Sequence, residues 1–461
     1  MPDLPPRVRV SAARFRLAER VRWLLLVAAL AVYAARWYAP DVAPRVRWVV
    51  WTLAAAFVVL RQMRWVIANP PPTVDLDDPT YVVTLVHGTF ALDAPWTHAD
   101  SALCRTLPGL IGDDRVGFVR FQWTGGNRMR DRDDAADELV PFLDALGATY
   151  PNARHVVVAH SHGGNVARRA LARLTTPGSV ELLVCLSTPF LTVQPRALGP
   201  HGILALRGVL SAAIVAALML TLDRFPAVSM AQVMEMSEAV IKVWLAVIAV
   251  GDGLTFFKLA PFLIERLRRR ALAVLAREPR DVGTQTVILR ATSDEASMTL
   301  LAMGFAAWLG ELAWRGTTYF AGWFAPMLGW VVRPLVQSDP WYKRMWHTGS
   351  AEIVVGATAI LGLSAVGVVA IVPLLAALLC MEAAGVGLGL ESLLLDVSTD
   401  SAPVGVASVV TLGTSHSLES LDLTSLRPGS AEELAHSVYS RAEVLDWIGT
   451  WVNALPARDG A

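Results

Sequence analysis

The residues best suited to chemistry lie in one short run, where Val156, Val157, Val158 and Ala159 lead into His160-Ser161-His162 and then Gly163-Gly164-Asn165. A serine at a sharp turn between a buried strand and a helix presents its hydroxyl for nucleophilic attack. The backbone there is strained and tolerates only small residues two positions to either side. Those positions are Ala159 and Gly163. The usual pattern has glycine at both, so this turn departs from it by one methyl group, and Gly164 allows close helix-to-strand packing after the turn. A lone match of this kind equally fits an ordinary strand, turn and helix with Ser161 as the cap. The rest of the chain must decide between the two.

A nucleophile that attacks a carbonyl needs two backbone N–H groups aimed at the developing oxyanion, one following the nucleophile and one in an earlier strand-to-helix loop. The continuous β-branched run Tyr81 to Val86 predicts a buried strand, and His87-Gly88-Thr89-Phe90 follows it as such a loop. The expected donors are the N–H groups of Thr89 and His162, with His87, Gly88, His160, Gly163 and Gly164 in support. His87 by itself reads as a structural loop histidine. Further along, Val116 to Gln122 predicts a strand and Trp123-Thr124-Gly125-Gly126-Asn127 a loop. An amphipathic helix is expected from about Asp131 to Leu146, and Glu181 to Phe190 predicts a further buried strand with a turn at its carboxyl end. Strand alternating with helix is the rhythm of a parallel α/β sheet.

The HG loop and the A-H-S-H-G-G turn resemble those of the α/β-hydrolase superfamily, in particular its lipase-like and esterase-like serine hydrolases. The resemblance covers residues 80 to 195. It implies an α/β-hydrolase fold, a mostly parallel sheet flanked by helices, and a triad in the order serine, acid, histidine. For the acid it points to Asp294, in Thr292-Ser293-Asp294-Glu295-Ala296 after the strand Thr286 to Ala291, with Glu295 as the runner-up. Serine stands where the family's strand-end turn has glycine. For the base it points to His436, just before the apolar spacing of a final helix (Val444, Leu445, Ile448, Trp451), with His416, after the strand Val404 to Leu412, as the competitor. The imidazole takes the serine proton and returns it to the leaving group, and a carboxylate fixes its tautomer. Neither a cofactor nor a metal is expected.

The 461 residues are 54% hydrophobic, too apolar for three soluble domains, and basic and acidic side chains balance at 40 each. No long-range field therefore argues for nucleic acid. Cys104, Cys185 and Cys380 are widely separated, which fits a reducing compartment and no metal site. Basic Arg7 to Arg22, then apolar Trp23 to Tyr38 and Trp48 to Leu60, predict an N-terminal transmembrane hairpin whose ends both face the cytoplasm. Pro70-Pro71-Pro72 marks its exit.

The expected organisation is a hairpin and linker over 1–72, hydrolase core over 73–200, a hydrophobic insertion over 201–280, and the acid strand over 281–300. A second insertion or lid then spans 301–395, and the C-terminal core spans 396–461. Gly208 to Leu222, Ser237 to Phe257, Leu300 to Val332 and Ile353 to Cys380 are the apolar stretches within the insertions, and the last is free of charge over its whole length. Since Ser161, Asp294 and His436 must meet on one side of a bilayer, each insertion crosses it an even number of times or not at all. Arg266, Arg268, Arg269 and Arg270 favour the cytoplasmic side for the hydrolase.

These features predict a multi-pass, membrane-anchored serine hydrolase acting on a lipid or other acylated ester. A thioesterase or amidase would use the same triad, and a membrane scaffold on a retired hydrolase fold is the reading from another class.

Overall fold

The computed structural model describes residues 7–38, 43–176, 178–195, 258–275, 284–291, 394–400, 406–412 and 438–456. The four apolar stretches of the insertions lie outside the described residues, as do Asp294, Glu295, His416 and His436. The chain divides into two compact units, one of residues Met1–Val193, Ala276–Leu301 and Val397–Ala461, the other of Gln194–Leu275 and Ala302–Asp396.

The first unit is built on a six-stranded sheet. In chain order its strands are β3 (Tyr81–Val86), β4 (Val116–Phe121), β5 (Arg154–His160), β6 (Leu182–Leu186), β8 (Gln285–Ala291) and β10 (Val406–Leu412). They lie side by side as β10-β8-β6-β5-β3-β4, and every neighbouring pair is parallel. The β-branched runs that make these strands alternate strictly between the two faces. Val83, Leu85, Val156, Val158, Val184 and Leu289 share one core with α3 (Ala102–Ile111) and α7 (Ala442–Asn453). Val82, Val86, Val157, Ala159, Cys185 and Ile288 share the other with α4 (Met129–Thr149) and α5 (His162–Leu171). A strand buried on both faces reads as a continuous apolar run, and these do.

Ahead of the sheet, β1 (Arg7–Val10) and β2 (Arg64–Ile67) pair in parallel, and between them the chain forms α1 (Ala12–Tyr38) and α2 (Ala43–Gln62), packed together as a hairpin. The expectation of a transmembrane hairpin is corrected here. No helix among the described residues is long and apolar enough to cross a membrane. Both helices extend past the apolar runs that suggested them and take in charge, Arg14, Arg16, Arg20 and Arg22 in α1 and Arg45 and Arg47 in α2.

The base of the hairpin is bound to α4 by ion pairs. Arg64 donates to both carboxylate oxygens of Asp134, through Nε at 3.0 Å and through a short second contact, with both side chains buried. Arg7 pairs with Asp134, Asp137 and Glu138, and Arg9 with Glu138 at 2.7 Å. Also on α4, Asp133 takes Arg169 of α5 at 3.1 Å and Arg173 at 3.0 Å. Phe15, Ile67 and Leu92 close a small apolar cluster beneath this collar.

Strands β7 (Phe190–Pro195) and β9 (Leu395–Asp400) form a two-stranded sheet of their own. In the second unit, α6 (Ala260–Leu275) carries the basic run: Arg268 and Arg269 are exposed and pair with Glu265 along their own helix, as on a solvated helix face.

Candidate active site

Strand β5 ends at His160 and α5 begins at His162, so Ser161 makes the whole turn between them. It does so at φ 53° and ψ −135°, a left-handed conformation that costs a residue with a β-carbon roughly 1–3 kcal/mol. Its N–H donates to Leu186 O at 2.8 Å, adding a further rung to the ladder with β6, and its carbonyl accepts from Gly164 N–H at 3.0 Å. Two hydrogen bonds therefore fix a position that local preference opposes.

Each glycine at the turn is required by a different neighbour. A β-carbon on Gly163 would lie 2.5 Å from His87 O and 2.6 Å from Val86 O, so the loop after β3 rests directly on the first turn of α5. One on Gly164 would run into the Thr188 side chain, in the loop after β6. One on Gly88 would come within 2.8 Å of Ser161 Cβ. Thr89, next in the chain, is thereby brought beside the serine, and its buried hydroxyl has no hydrogen-bond partner. Phe90 follows at φ 61°, its N–H donating to Gly125 O at 2.9 Å, with an exposed side chain.

The hydrogen bonds of His87 define its state. Its Nε2 accepts from Trp123 N–H at 3.1 Å, which leaves the proton on Nδ1 to donate to Gly88 O at 2.8 Å. Trp123 stacks on the ring at 5.6 Å and donates its indole N–H to His87 O at 2.7 Å. Burial lowers the imidazole pKa to about 4, only partly opposed by these bonds. A histidine held neutral with both nitrogens occupied is a brace for the loop rather than a proton carrier.

The other two histidines at the turn are also held in place. Asn165 donates to His162 Nδ1 at 3.2 Å and to Pro189 O at 2.8 Å, and accepts from Leu191 N–H at 3.2 Å. His160 sits edge-on to Tyr439 at 5.1 Å and to Trp96 at 6.1 Å, and the latter two rings stack at 5.4 Å. Beneath the turn, burial pushes the Cys185 thiol up to about 12, so this cysteine is an inert core residue.

Ser161, His162, Thr89, His87, Gly88, His160, Gly163 and Gly164 are thus brought together at the carboxyl end of the sheet. Asp294, Glu295, His416 and His436 lie outside the described residues. Trp123, Asn165, Trp96 and Tyr439 were not anticipated as site residues. Asn165 and Trp123 do fall within the glycine-bearing turns the sequence marks, but what they contact is set by distant segments.

A parallel sheet in this strand order, flanked by helices on both faces and carrying a serine at a strained strand-to-helix turn, is the α/β arrangement that the sequence resemblance implies. No protein-family model matches the sequence, and no curated protein matches it. Among solved structures the chain is similar to the esterase domain of a Rhodothermus marinus protein, at 16% identity over 26% of this chain and 43% of that one, with a TM-score of 0.17. It is similar to a Bacillus licheniformis lipase in mature form at 15% identity, over 53% of this chain and 81% of that one, with a TM-score of 0.24. It is also similar to MenH from S. aureus at 15% identity, over 49% and 80%, with a TM-score of 0.21. The chain therefore spans less than half of the first of these. The fold assignment rests on the sheet order and the turn at Ser161.

Proposed function

We propose that this protein is a serine hydrolase that cleaves carboxylic esters through an acyl-enzyme on Ser161. The observation that carries the reading is the Ser161 backbone, held at φ 53° beside Gly88 at the carboxyl end of a parallel sheet. Backbone strain that the surroundings enforce, at a residue able to act as a nucleophile, marks function more than packing.

Asp294 is the proposed acid. It follows Ala291, the last residue of β8, by three positions, and three residues reach at most about 10 Å. Leu289 of β8 is in register with Leu186 of β6, and Leu186 with His160, so the end of β8 stands two strand spacings, about 10 Å, from the nucleophile strand. His436 is the proposed base. It precedes Val438, which is fully buried in the same core as β5, and Tyr439, whose ring meets that of His160 next to the nucleophile. His416 follows the end of edge strand β10, three spacings or about 14 Å from β5. The Tyr439 contact favours His436.

In the proposed reaction His436 removes the Ser161 proton as Oγ bonds to the ester carbonyl carbon. The N–H groups of Thr89 and His162 receive the resulting oxyanion. The tetrahedral adduct collapses, the C–O bond to the alcohol breaks, and the alcohol leaves with the proton from His436. Water then repeats the sequence on the acyl-enzyme to release the carboxylic acid. Exposed Phe90 beside Thr89 offers an apolar contact for an acyl chain, in keeping with a lipid or acylated ester.

A fluorophosphonate probe tests the nucleophile. Labelling lost in Ser161→Ala is the expected result, and a folded wild-type protein that never labels would overturn the reading. Turnover of a p-nitrophenyl ester series in His436→Ala and His416→Ala tests the base. Loss in the second variant alone would move the role to His416, and a parallel thioester series decides between ester and thioester as the preferred acyl donor.

A further inference from the structure

The hairpin leaves a stripe of large apolar side chains in solvent. On α1, Leu17, Val21, Leu24 and Val27 are 61%, 39%, 68% and 59% exposed, and their spacing of four, three and three residues places them along one side of the helix. On α2, the neighbouring Val58 and Val59 are also exposed. A continuous exposed apolar face on an otherwise ordered element marks an interaction site.

Charge identifies the occupant. Residues 1–70 hold eleven arginines against three acidic residues, whereas the whole chain balances 40 against 40. The rest of the chain is therefore acidic, and the hairpin region is a strongly basic extension of it. Arg14 and Arg20 are exposed beside the stripe, three residues before Leu17 and four before Leu24. Trp23 is half exposed, with the Arg22 guanidinium 6.0 Å from its ring. Apolar side chains flanked by arginine and tryptophan on one helix side, on an element not long and apolar enough to cross, suit the plane between lipid headgroups and acyl chains. A basic flank selects an anionic surface.

We propose that the α1–α2 hairpin is a monotopic anchor, its stripe lying in the upper acyl region of an anionic bilayer with Arg14 and Arg20 on lipid phosphates. A second copy of this chain would instead have to bring two arginine-rich faces together, which like charge opposes. The collar of Arg7, Arg9 and Arg64 on α4 then fixes the hydrolase body to the anchor. This proposal is independent of Ser161 and its chemistry.

The test is flotation of the full-length protein with phosphatidylcholine vesicles, plain or doped with phosphatidylglycerol, at low and high salt. The expected result is binding to doped vesicles that salt weakens. Arg14→Glu with Arg20→Glu should bind them roughly twentyfold or more weakly. Leu17→Ser with Leu24→Ser should release the protein while its melting curve stays two-state. Equal binding to plain and doped vesicles would overturn the proposal. So would concentration-dependent self-association that the leucine variant abolishes in a protein that ignores vesicles.

Discussion

The loops at the carboxyl ends of β3, β5 and β6 and the collar between β2 and α4 are held by opposite means. Phe90, Ser161 and Ser187 are the non-glycine residues with positive φ among those described, and each follows the end of one of these three neighbouring strands. The same loops bury hydroxyls of Thr89, Ser187 and Thr188 that have no hydrogen-bond partner. At the collar the backbone is ordinary, and the side chains pair through Arg64–Asp134, Arg7–Glu138 and Arg9–Glu138. Backbone strain collects at the carboxyl end of the sheet, and charge pairing collects where elements must stay together. The first region costs stability, and the second supplies it.

Substitutions at the two regions should therefore separate activity from stability. The largest effect is expected for Ser161→Ala, which removes the nucleophile while keeping the same backbone. Ester turnover should fall by about 10⁴-fold or more with the unfolding midpoint nearly unchanged. A matching loss of stability would mean that the serine is structural. Next is Arg64→Ala or Asp134→Ala, each breaking the most buried pair of the collar; since Arg7 also reaches Asp134, the expected cost lies toward the lower end of about 3–5 kcal/mol, measurable by urea unfolding. Turnover per folded molecule should hold. If the collar contributes through pairing, replacing both partners with apolar residues should cost less than either single change.

A somewhat smaller effect links pH to the His87 brace. Its folded pKa of about 4 lies below the unfolded value near 6.5, so the unfolded chain takes up the proton first as pH falls. Stability from this group is fully present above about pH 6.5 and is lost progressively down to about pH 4, by on the order of 3 kcal/mol. His87→Asn, which cannot titrate, should flatten that part of the curve. The smallest effect carries the most diagnostic sign. Ser161→Gly frees a left-handed position from its β-carbon and should raise stability by about 1 kcal/mol while abolishing turnover. A drop would show that the rim is not strained at this residue.

Most of the sheet was legible because a parallel strand buried on both faces carries its own signature. The expected Tyr81–Val86 strand is observed with those bounds, and those expected at Val116, Thr286 and Val404 are observed within two residues of the expected ends. The serine turn was legible for a similar reason, since small residues at fixed offsets report a local crowding that the chain cannot avoid. What stayed hidden was held by distant partners. Arg64 and Asp134 are 70 residues apart, and neither has a neighbour in sequence that announces the other. The Trp123 brace on His87 spans 36 residues and looks from sequence like any loop tryptophan. The apolar runs Trp23 to Tyr38 and Trp48 to Leu60 suggest membrane spans on their own, whereas the helices that contain them continue into arginines.

Strands β1 and β2 run side by side in one direction, so the chain leaves the body for the hairpin and returns to it through a single doorway. That makes the hairpin a removable module. The gap from the end of one four-residue strand back to the start of the other is three residue steps, about 10 Å along the strands and 5 Å across. A flexible linker of about eight residues, with a mean span near 16 Å, can bridge it. Joining Val10 to Arg64 by such a linker would keep the parallel pair and the arginine collar while removing the apolar stripe. The shortened chain is then a handle for purification and crystallisation.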